Sequence, residues 1–138
     1  MEHEYLVMKL GNIKGIDFYK EHTKVIQEFG YVDFARVGRR FLAFSFLNEP
    51  FFYIKESAGA GNRIFKASIM KDLSGEKRTP EYYNSLDLSK ASWVRIAKME
   101  IINKDTFLAE HTLRNGEEIK ALNRGAVTFF YIIDKKQD

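Results

Sequence analysis

A single amphipathic helix is written into the first quarter of an otherwise β-prone chain, and it limits the fold more than any other feature. From Asp17 to Phe29, the residues Phe18, Tyr19, His22, Val25, Ile26 and Phe29 recur at helical spacing on one face, and Gly30 is placed to end the helix. A helix with one apolar face must bury it, and the rest of the sequence offers a sheet to bury it on.

Glu4 to Leu10 reads as a strand ahead of the helix, punctuated by Gly11-Asn12 and Gly15. Tyr31 to Gly38 reads as a mixed connection, and Phe41 to Leu47 resumes as an alternating strand until Pro50 interrupts it. The clearest local signal is a hairpin. Phe51-Phe52-Tyr53-Ile54-Lys55-Glu56 leads through the small, Gly-rich run Ser57 to Asn62 into Arg63 to Lys71. Ser74 to Pro80 is a polar surface loop that a ligand could meet, and Pro80 is suited to open a short helix over Glu81 to Leu86. Ser92 to Ile102 is a long strand and Phe107 to Leu113 a strand or a helical turn. After an Asn115-Gly116 turn, Ala126 to Asp134 is a terminal strand.

Successive strands without long helices between them predict antiparallel pairing. The expectation is therefore one α+β domain over residues 1–138, a small, mostly antiparallel β-barrel or strongly curved sheet of about six strands with one long covering helix. Closing the sheet would remove its exposed edges.

With no cysteine, the chain excludes disulfides, thiolate metal sites and cysteine nucleophiles. No stretch approaches the roughly 20 apolar residues that span a bilayer, and Met1-Glu2-His3-Glu4 lacks the basic start of a signal peptide, so a cytoplasmic protein without a membrane partner is expected. His3, His22 and His111 have no metal-ligand spacing, and His22 lies on the apolar helix face where packing explains it. Gly59-Ala60-Gly61 is not followed by the Lys-Ser/Thr and helix of a phosphate loop. The acids are scattered singly and no nucleophile elbow is present, so the chain is read as a binding protein rather than an enzyme, with no metal or cofactor implied.

What remains is aromatic residues interleaved with basic ones. Aromatic residues make up 14% of the chain, enough for rings to line a contact surface as well as a core, and the net charge of +3 permits a polyanionic partner. Phe51-Phe52-Tyr53 lies near Lys55, Trp93 beside Arg95, and Asn123-Arg124 precedes the last strand. A ring stacks a nucleobase at about 1–3 kcal/mol, cations neutralise phosphates, and Asn matches a base edge. The plainer account is a ring-rich core with its cations reaching solvent. An apolar small-molecule or enzymatic α+β barrel would use the same rings as a pocket lining. A protein-interaction module would instead expose Phe129-Phe130-Tyr131 on an edge strand.

Three stretches carry a family resemblance. Arg40 to Phe46 with the hairpin up to Ile64-Phe65-Lys66-Ala67-Ser68-Ile69 is one, Ser92-Trp93-Val94-Arg95-Ile96 the second, and His111 to Gly116 with Leu122-Asn123-Arg124-Gly125 the third. Their order resembles the PUA-like superfamily, particularly its EVE and YTH branches, small barrels that hold a modified nucleobase among aromatic rings. The resemblance implies a reader of methylated DNA or RNA, as in the targeting modules of modification-dependent restriction and defence assemblies. It implies a base pocket drawn from Trp93, Tyr53, Phe51, Ser45 and Asn123. Backbone contacts would come from Arg36, Arg39, Arg40, Arg63, Lys66, Arg95 and Arg124. Because Trp93 is the one tryptophan, a second ring has to come from Tyr53, Tyr82 or Tyr83.

Overall fold

Helix α1 (Phe18–Phe29) begins where Asp17 caps it, the carboxylate accepting from the Lys20 amide, and ends at Gly30, whose φ of 87° is the left-handed turn that glycine makes most cheaply. The computed structural model describes residues 4–11, 15–36, 49–57, 61–119 and 129–135. Around α1 the chain forms strands β1 (Glu4–Leu10), β2 (Val32–Arg36), β3 (Phe51–Glu56), β4 (Ile64–Ile69), β5 (Ser92–Ile102), β6 (His111–Leu113) and β7 (Phe129–Asp134). A second helix, α2, covers Lys104–Glu110, and a 3₁₀ turn covers Glu81–Ser85.

These strands make one mixed sheet in the order β2-β5-β4-β3-β1-β7-β6. The β3–β4 hairpin forms as the sequence predicts, with Phe51 opposite Ser68 and Lys55 opposite Ile64. One pairing departs from the antiparallel expectation: β1 runs parallel to β3, with Val7 beside Tyr53 and Lys9 beside Lys55. The chain has to cross back over the sheet between them, and α1 lies in that crossover. Nor do the described strands close into the expected barrel. β2 and β6 stand at opposite edges of the sheet and do not pair. The strand expected over Phe41–Leu47 lies outside the described residues.

Strand alternation divides the core in two. Leu6, Met8, Phe52, Ile54, Phe65, Ala67, Val94 and Ile96 meet Phe18 and Val25 of α1 on one face. On the other face Tyr5, Val7, Tyr53, Ile64 and Ile132 pack with Phe107 of α2 and Ile119. The stretch read as a strand or a helical turn is both: Asn103 caps α2 through the Thr106 amide, and β6 follows at once. Strand β7 lies between β1 and β6, so it is not the free edge an interaction module would need.

The connection expected from Tyr31 onward is instead the edge strand β2, and the polar segment 70–80 is stitched to it. Asp33, 4% exposed, receives Arg95 Nε at 2.9 Å and the Arg78 amide at 2.8 Å. Arg95 also donates to the carbonyl of Ser74 at 2.7 Å, and the Tyr31 hydroxyl donates to the carbonyl of Glu76. A segment without regular hydrogen bonding thus satisfies its backbone through two buried charges and a phenol.

Candidate functional site

At the end of β2, edge-strand pairing sets Ala35 opposite Trp93 and Arg36 opposite Ser92. The 3₁₀ turn brings Tyr83 beneath this corner. Its ring lies 6.3 Å from that of Trp93, and its hydroxyl accepts from the Ala35 amide at 3.2 Å. Tyr82 packs edge-on against Tyr83 with centroids 5.0 Å apart. Buried His22 fixes the group from below, its Nε2 lying 3.1 Å from the Tyr83 hydroxyl. Burial pushes the Tyr83 phenol up to about 12, so it stays a neutral donor and acceptor.

Two cations complete the corner. The Lys77 ammonium stands 3.7 Å over the half-buried Trp93 ring, from a loop whose residues 71–77 are all exposed. Arg36 is half-buried, and desolvation pulls its pKa down from the ordinary arginine value, partly opposed by Tyr83. Among the described residues no carboxylate pairs with it. By strand alternation Arg36 leaves the sheet on the face of Phe34 and Val94 and Trp93 on the face of Ala35, with Tyr83 near both. An arginine drawn out of water without a carboxylate is a receptor for an anion, and a half-buried indole is a platform for a flat ring.

The other residues singled out in the sequence take different places. Phe51 and Lys66 do meet, the ammonium 4.2 Å over the ring, but Phe51 also stacks on Tyr5 at 5.3 Å. Phe51 lies two strands across from β5, opposite Ser68 and so Lys98, which puts it roughly 15–20 Å from Trp93 on ordinary strand spacings. The two rings share a face of the sheet but cannot share a base. Tyr53 is 7% exposed and packs edge-on against Phe107 and His111; burial raises its phenol to about 12. Arg95 is buried on Asp33. Arg63 forks onto Glu56, with Nε at 2.6 Å and a second nitrogen at 3.0 Å, and also reaches Asp17 at 3.0 Å. Both arginines have their charge answered inside the protein. Ser45, Arg39, Arg40, Asn123 and Arg124 lie outside the described residues.

Lys77 is not among the residues the resemblance assigns to the pocket or the backbone contacts. The available signal was the polar loop running into Pro80-Glu81-Tyr82-Tyr83, which delivers a cation and two rings together. The described residues contain no group of three or more histidines, aspartates or glutamates able to hold a metal, and none of their helices is long and apolar enough to cross a membrane. Comparison of the chain with protein families, curated proteins and solved structures finds no match. The described residues define an α+β protein with a seven-stranded mixed sheet and two α-helices.

Proposed function

We propose that this chain is a nucleic-acid-binding module of the PUA-like kind, related to the EVE and YTH branches, that seats a modified base at the Trp93 corner. The observation that carries the reading is a half-buried indole lying under the Lys77 ammonium, with Arg36, a partly desolvated guanidinium that no carboxylate among the described residues balances, at the end of the edge strand paired with it. A base stacks on Trp93 with Tyr83 beside it, Lys77 leaves the indole for its phosphate, and the next phosphate rounds the edge strand to Arg36. Methylation adds apolar surface that a site walled by rings accepts more readily than water does. Duplex DNA would have to release the base from its stack first, so single strands or flipped bases are the substrates.

Trp93 is the chain's one tryptophan, so stacking reports itself. Titration of methylated and unmodified oligonucleotides at several salt concentrations should quench its fluorescence, more strongly for the methylated strand. Arg36→Gln should weaken binding of both and lower the salt slope by about one. Trp93→Phe, which keeps a ring, should bind better than Trp93→Ala. Absence of binding, or binding that ignores salt, would sink the proposal.

A further inference from the structure

The half-buried Trp93 ring already holds a cation. Lys77 sets its ammonium 3.7 Å from the ring centroid, the shortest cation–ring distance among the described residues. Solvent does not force this choice. Lys77 belongs to the exposed run 71–77, where an ammonium is well hydrated, and the neighbouring Glu76 carboxylate turns instead to Arg78 at 3.3 Å. Among the described residues no carboxylate pairs with Lys77. The partner it takes is the indole, the aromatic side chain that attracts a cation most strongly. The backbone on either side of Lys77 is pinned. The Glu76 carbonyl accepts from the Tyr31 hydroxyl, the Arg78 amide donates to the Asp33 carboxylate at 2.8 Å, and the Arg78 carbonyl accepts from the Asp33 amide at 2.7 Å. Lys77 therefore leaves the ring by rotating its own flexible stem, without opening the loop.

A base that enters this corner takes the place of an ammonium. A neutral base restores stacking alone, whereas a base with a fixed positive charge restores both stacking and the attraction between cation and ring. Alkylation at a ring nitrogen, such as N3 of cytosine or N1 of adenine, leaves a positive charge on the base at neutral pH. Alkylation at carbon or at the exocyclic amine does not. Those ring nitrogens also lie on the pairing edge, so bases alkylated there are already unpaired and leave a stack most easily. With its phosphate such a nucleotide is a zwitterion, and the corner answers both ends: the indole takes the positive ring and the displaced Lys77 the negative phosphate. Building on the reading of Trp93 as a base platform, we propose that the modified base selected here is a cationic one, alkylated at a ring nitrogen.

Two isomers of equal size isolate the charge: 3-methylcytosine is cationic at neutral pH and 5-methylcytosine is neutral. Short labelled single strands carrying one or the other at the same position are titrated with the full chain and followed by fluorescence anisotropy. The 3-methylcytosine strand is expected to bind about fivefold more tightly. Raising the pH until 3-methylcytosine gives up its extra proton should erase that preference, with the 5-methylcytosine strand as the internal control. Trp93→Leu keeps an apolar wall but no π-face and should bring the two strands level. Equal binding of the isomers by the parent chain, or tighter binding of 5-methylcytosine, overturns the charge preference and leaves the base platform standing. A preference that survives Trp93→Leu overturns its assignment to this ring. Failure of both strands to bind overturns the base platform and the preference together.

Discussion

His22 has no exposed surface, yet both ring nitrogens are satisfied. The Phe18 carbonyl, 3.0 Å from Nδ1, can only accept, so Nδ1 carries the proton and Nε2 accepts from the Tyr83 hydroxyl. A proton on Nε2 would take away the acceptor of the Tyr83 hydroxyl and charge a group in the apolar core. Burial accordingly pulls His22 down to about 4. The unfolded chain binds this proton near 6.5, so folding stability is complete above that value and is lost as pH falls through about 4. The linked contribution is on the order of 3 kcal/mol. Urea unfolding between pH 7 and pH 4 should show the loss, and His22→Leu should flatten the slope in that window; an unchanged slope would place the acid sensitivity elsewhere. The same acidification should release Tyr83 and, with it, the floor under Trp93. Packing was the role the sequence assigned to His22, from its place on the helix face. Its bond to Tyr83 joins residues 61 apart, and helical periodicity carries no information about such a partner.

Among elements, the segment 70–80 shows best how an irregular stretch can be structural. Its anchors are the Asp33–Arg95 pair, both side chains nearly inaccessible, and Tyr31, whose hydroxyl holds the Glu76 carbonyl. Arg95→Met would leave Asp33 buried without its partner, at a cost of about 3 kcal/mol. Gly75 makes a gentler probe: its φ is +91° and an added Cβ would stand 3.0 Å from the Tyr31 hydroxyl. Gly75→Ala should raise hydrogen exchange across 72–78 while leaving β3 and β4 protected. Exchange spread evenly over the sheet would mean the segment is not a separate clamp. The loop itself is legible in the sequence from its Gly, Pro and polar residues, whereas β2 is not. Val32-Asp33-Phe34-Ala35-Arg36 looks broken as a strand because Asp33 points to a buried position, and the charge that makes this tolerable lies 62 residues away. Helix α2 was ambiguous for a different reason: seven residues give periodicity less than two turns to register, so the Asn103 cap is the stronger signal.

Across the whole molecule, the sequence reads correctly as α+β, with the long helix, the hairpin and the final strand where expected, because each is announced by local periodicity or turn chemistry. The β1–β3 parallel pair and the strand order that keeps β2 and β6 apart among the described residues are products of long-range pairing, which local patterns do not encode. The same long-range pairing separates the cations by role. Arg63 and Arg95 are consumed internally, while Arg36 has no carboxylate paired with it among the described residues. Arg63→Gln should therefore lower the unfolding midpoint, because it strips buried Glu56 of its partner, while changing oligonucleotide affinity little; Arg36→Gln should lower affinity while changing the midpoint little. Thermal unfolding and salt titrations of the two variants check this division, and an Arg63→Gln protein that keeps its midpoint but loses binding would show that the hairpin arginine faces the ligand.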